Sequence, residues 1–195
     1  MKMTLRVGAI FMLASAWAMA GDFSGTSPDG KLSFASKGEK DFFIWKTDKP
    51  SEKAKIYHEE TVFIQAAAIS PDNVWIALEN GGSSLGHTLM FFKRDKGLDY
   101  SIVGGPNDKR DPADLVSEFA LKTVGIKGNI LDHSYLHPVK WGPKSQFIIV
   151  SLDGKGVANG KQVRVTNFQC AYNPVTQQVL NVKGNPGKVD VTAAK

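Results

Sequence analysis

Apolar residues recur along residues 23–182 in short runs, broken by turns rich in Gly, Pro, Asn and Asp. Runs of this length, with period-two alternation and many β-branched and aromatic residues, predict strands. Residues 31–35, 41–46 and 54–58 read as one group of strands. Residues 62–70, 74–79, 88–94 and 98–103 form a second group, and residues 134–141, 146–152, 162–172 and 178–182 a third. One stretch has helical spacing instead. In residues 111–122, Asp111 is a plausible N-cap and Pro112 suits the first helical position. Leu115, Val116 and Phe119 share a face there with Lys122, so the segment is expected to cap the core as a short helix.

The groups repeat. Ser27-Pro28-Asp29-Gly30 recurs as Ser70-Pro71-Asp72-Asn73, at an offset of about 43 residues. A strand follows each turn, then a Gly-containing loop, then an aromatic strand: Asp41-Phe42-Phe43-Ile44-Trp45-Lys46 in the first copy and Thr88-Leu89-Met90-Phe91-Phe92-Lys93 in the second. A weaker third turn is Trp141-Gly142-Pro143-Lys144-Ser145. Pro presets φ at the second turn position, Asp bonds nearby backbone, and Gly or Asn accepts positive φ. This pattern resembles the blades of β-propellers, in particular WD-repeat and TolB-type repeats. The resemblance covers most of residues 23–182 and implies an all-β fold of about three four-stranded antiparallel blade-like sheets, a partial or open propeller-like arrangement. The first copy lacks a clear opening strand. A blade architecture hosts many functions and implies none of them.

Residues 1–20 read as a cleavable signal peptide. Lys2 and Arg6 precede an apolar run from Val7 to Trp17, and Ala18-Met19-Ala20 offers the small residues of a cleavage site. The working protein is then a single β domain over residues 21–182 with a flexible tail, 183–195, in the periplasm or outside the cell. The formal charge of +5 shrinks with the loss of Lys2 and Arg6, too little for nucleic acid as the main partner. The single cysteine, Cys170, excludes an internal disulfide and sits in a strand pattern, as a buried thiol would. The absence of an Asn-x-Ser/Thr sequon leans toward a bacterial source.

The candidate chemistry is sparse. Gly82-Ser83-Ser84-Leu85-Gly86 matches the G-x-S-x-G pattern of serine hydrolases, but it lies between two strands, where a nucleophile elbow needs a strand, a sharp turn and a helix. The segment reads better as a protruding loop, residues 80–87, whose Ser83, Ser84, Leu85 and His87 contact a partner. The Gly-rich residues 153–161 read as a second, mobile hairpin loop, offering Lys155 and Asn159. His133 and His137, four apart in a strand, would stand about 13 Å from each other, too far for one ion. No third ligand is evident, so no metal or other cofactor is expected. Glu59-Glu60 and the acids of residues 108–111 read as solvated surface. These features favour an exported binding protein without catalytic activity, of the inhibitor or immunity type in the bacterial envelope, whose loops grip a protein partner. The alternatives are a secreted hydrolase using Ser84 with His133 or His137, and a structural scaffold module.

Overall fold

A computed structural model of the chain describes residues 22–61, 63–83, 86–103 and 110–193. Among the described residues the fold is all-β with one helix. The first repeat is a four-stranded antiparallel sheet in sequence order: β1 (Ser24–Thr26), β2 (Leu32–Lys37), β3 (Asp41–Lys46) and β4 (Ala54–His58). The opening strand that the sequence lacked is β1, only three residues long, with Gly25 opposite Phe34. Its length and small residues leave no apolar pattern to read.

The second repeat holds β5 (Ile64–Ile69), β6 (Trp75–Ser83), β7 (Gly86–Lys96) and β8 (Asp99–Ile102). The helix α1 (Pro112–Thr123) follows. The third repeat has β9 (His133–Trp141), β10 (Ile148–Ala158), β11 (Lys161–Tyr172), β12 (Val179–Asn181) and β13 (Lys188–Ala193). These two repeats are not separate sheets. They merge into one nine-stranded sheet where β7 and β9 pair in parallel, Gly86 opposite Ser134 and His87 opposite Tyr135. Gly86 permits this approach, because a Cβ there would lie 2.0 Å from the Ser134 carbonyl oxygen. The tail also differs from expectation: residues 188–193 pair along β11 as β13, whereas fraying was expected.

The second repeat is buried on both faces. On one side Ile76, Leu78, Met90 and Phe92 pack with Leu32, Phe34, Phe42 and Ile44 of the first repeat. On the other, Trp75, Ala77, Leu89 and Phe91 join Leu136, Val150, Leu152 and Phe168 of the third repeat together with Val116, Ala120 and Leu121 of α1. Stacked and edge-on rings knit this second core, with Trp75 6.3 Å from Trp141 and Phe91 5.5 Å from Tyr172. Double burial explains why residues 74–78 read as a continuous apolar run rather than an alternating one. The helix starts as expected, Asp111 accepting from the Ala113 N–H at 2.7 Å. Its buried face is centred on Val116, Ala120 and Leu121, however, and Leu115 and Phe119 lie at the margin, only partly buried. Cys170 is fully buried, and burial pushes its thiol up to about 12, which makes it an inert packing residue.

The repeated turns have matching internal bonds. Ser27 Oγ donates to Asp29 and accepts from the Leu32 N–H; Ser70 Oγ does the same with Asp72 and Trp75. The fourth residue of each turn has positive φ: Gly30, Asn73 and Ser145. The turns are also linked to one another. The Asn73 amide donates to Asp29 at 2.8 Å, and the Ser145 side chain bonds Asp72. The third and fourth turn positions of successive repeats thus hold the three units in register.

Two outcomes are expected. Gly86→Val should destabilise the protein by about 1–3 kcal/mol in urea unfolding, since the added carbons collide with backbone rather than with a movable side chain; unchanged stability would show that the strands meet less closely. The Asp29 carboxyl is opposed by burial but is held down to about 2 by the Lys31 N–H, the Ser27 hydroxyl, the Asn73 amide and the Lys31 ammonium. A depressed folded-state value gives stability that is complete above the unfolded value of 3.8 and is lost as pH falls toward 2. Asp29→Asn should therefore flatten the stability profile between those two pH values.

Candidate functional site

The two expected rim loops are largely strand. β6 continues to Ser83 and β7 begins at Gly86, with Asn80 opposite Thr88 and Ser83 opposite Gly86. Ser83 is the last residue of β6; Ser84 and Leu85 lie outside the described residues. His87 is not a rim group. Its side chain is 16% exposed and turns inward onto Glu79. In the other hairpin, β10 runs on to Ala158 and β11 starts at Lys161, leaving only Asn159 and Gly160, both at positive φ, as the turn. That geometry fits the Asn-Gly type I′ hairpin, so residues 153–161 form two paired strands where a mobile loop was expected. Asn159 accepts from the Asn129 amide at 3.2 Å.

Two groupings emerge. The first is a buried polar cluster. Glu79 shares its face of β6 with Trp75 and Ala77 and is buried with them. One carboxylate oxygen, Oε1, lies 2.9 Å from Nδ1 of His87 and 2.9 Å from Nδ1 of His137. The two imidazoles stand nearly perpendicular, 6.1 Å apart, and the edge of His87 also meets the Tyr135 ring at 5.0 Å. Burial pushes the Glu79 carboxyl up, but the hydrogen bonds and charges of His137 and His87 outweigh it and hold the group below its ordinary range. Burial likewise disfavours the His137 cation, yet the hydrogen bond and charge of Glu79, with Asp153 further off, raise it above the usual value. Gly81 keeps space for the cluster: a Cβ there would lie 3.1 Å from His87 Nε2 and 2.9 Å from the Gln65 amide nitrogen.

His137 thus has an acidic partner, but not through the His133 spacing seen in the sequence. His133 lies at the far end of β9, opposite Lys155. Glu79 was missed because its strand reads as apolar core. The available signal was the charge itself, sitting where the alternation of Trp75 and Ala77 demands a buried side chain. Such a group needs a partner.

The second grouping is a sheet face. Register places His133 of β9, Lys155 of β10, Arg164 of β11 and Asp190 of β13 in one cross-strand row. Val157, Gln162 and Thr192 form the next row. These residues, with Asp132, line a hollow of about 490 Å³. Val157 is 56% exposed, whereas Val163 and Val165 on the opposite face are core. Asp132 braces the rim by accepting from the Val157 N–H at 2.9 Å.

Glu79→Gln tests the cluster. A raised His137 gives stability that is full below 6.5 and is lost as pH rises through the folded-state value; a lowered Glu79 gives stability that is full above 4.5 and is lost as pH falls. The substitution should cost about 2 kcal/mol between those two values and less on either side, measured by urea unfolding across pH.

No protein-family model and no curated sequence matches the chain. Among solved structures, one from Agrobacterium tumefaciens, described as a candidate TolB, is similar with 12% identity and a TM-score of 0.35, over 83% of this chain. The match spans 61% of that protein's own length.

Proposed function

We propose that the chain is an exported, non-catalytic protein-binding protein of the inhibitor or immunity kind, and that its partner docks on the β9–β10–β11–β13 face. The observation that supports this reading is the exposed Val157 set among Lys155, Gln162, Arg164, Asp190 and Thr192 on paired strands. An apolar centre within a polar, mixed-charge rim is the general anatomy of a protein interface. Because the face is strand rather than loop, little ordering entropy opposes binding. The three repeats, of four, four and five strands, are read as an open, propeller-like arc whose third unit carries the contact. Export rests on the signal-like residues 1–20; no described helix is long and apolar enough to cross a membrane.

Lys155 lies on this face, and Asn159 closes the β10–β11 hairpin at its end. Affinity capture from envelope and secreted fractions of the native organism, using the chain without residues 1–20, should return one stoichiometric partner. Val157→Asp with Arg164→Glu should abolish that capture while circular dichroism stays unchanged. Failure to capture a specific partner, or capture indifferent to these substitutions, would sink the proposal.

A further inference from the structure

We infer that Glu79, His87 and His137 form a binding site for a divalent transition-metal ion of the zinc class. This does not depend on the protein-binding reading, because the cluster belongs to β6, β7 and β9 and shares no residue with the hollow around Val157.

The geometry carries the inference. One oxygen of Glu79 and one nitrogen from each imidazole all lie within 4.8 Å of one another. Zinc bound at about 2.0–2.2 Å to nitrogen and oxygen spaces tetrahedral ligands roughly 3.3–3.5 Å apart. To seat the ion, the two carboxylate–imidazole contacts, at 2.9 Å, open by a few tenths of an ångström, and the two imidazole nitrogens, within 4.8 Å of each other, draw together to that spacing. All three ligands stand on strands joined by backbone pairing, so their spacing is fixed by register rather than by loop conformation.

The donor chemistry narrows the ion. Two imidazoles and one carboxylate suit zinc and its first-row neighbours, whereas calcium and magnesium prefer sets made of oxygen. Three protein ligands leave a fourth position for water. His137, 31% exposed in its side chain, gives the ion a way in, while Glu79 at 3% closes the other side. Charge balance argues in the same direction. A divalent cation is matched by one carboxylate and two neutral nitrogen donors converging on one point. On binding, each Nδ1 that now donates to Glu79 gives up its hydrogen, which moves to Nε2 in a neutral ring and leaves to solvent from a charged one, and the freed Nδ1 lone pair goes to the ion. Affinity should therefore weaken as pH falls. Gly81 contributes by leaving the Nε2 edge of His87 unobstructed.

The test uses the chain without residues 1–20, free of any polyhistidine tag and stripped with a chelator. Isothermal titration with zinc chloride should show one saturable ion per chain, and cobalt(II) should give the visible absorption of a tetrahedral site. Magnesium and calcium should give neither. The His87→Asn/His137→Asn double variant should lose the zinc signal, and His133→Asn should keep it. Because the double variant removes partly buried groups, a second measurement uses the unaltered chain. Zinc should protect His87 and His137, but not His58 and His133, from diethyl pyrocarbonate, read by peptide mass spectrometry. Absence of saturable zinc uptake, uptake that survives in the double variant, or equal modification with and without zinc would each overturn the inference.

Discussion

The structure depends on a central sheet that has no free face. The strands β5, β6 and β7 lie between the first repeat on one side and the third repeat with α1 on the other, so every side chain of residues 75–78 is buried. Neither neighbour has to build a complete core. The first repeat contributes Leu32, Phe34, Phe42 and Ile44 and borrows the rest from the second. The third buries Val150, Leu152 and Phe168 partly under a helix, which supplies the covering layer that a further sheet would otherwise have to provide. At 195 residues, with one cysteine, the chain gains its stability from this layering rather than from cross-links.

The architecture was legible where chemistry was local. The Ser-Pro-Asp turns dictate their own bonds, and the capped helix follows from Asp111 and Pro112. Strands with strong alternation or aromatic content fell within a few residues of their observed bounds. What could not be read was pairing between distant segments. β1 is too short to show a pattern. β13 gains its order from β11, since its own residues are mostly exposed. The Gly-rich residues 153–161 looked mobile because Gly lowers strand propensity, yet Gly154 and Gly156 are needed there: a Cβ on either would press on backbone of residues 131–134 crossing beside β10.

The buried cluster shows the same division. Each histidine is visible in the sequence, but in a different setting: His87 on a rim loop, and His137 on a strand, four residues from His133 and too far from it to share an ion. Only the parallel contact of β7 with β9, made possible by Gly86, brings them to a single carboxylate. Spacing along one strand speaks only to His133 and His137, which lie four residues apart on β9. It carried no information about the β6–β7 hairpin, whose Glu79 lies 8 residues from His87 but 58 from His137 and presents its carboxylate to both rings.

The bonds between turns also have a direction along the chain. Each link joins a carboxylate at the third position of one turn to a side-chain donor at the fourth position of the next. The first turn has Gly30 at its fourth position, which offers no side chain to anything before it. The last has Lys144 at its third position, a cation where an acceptor is required. The linkage therefore runs across the three turns and uses a different pair of side chains at each joint, so its two bonds can be broken one at a time.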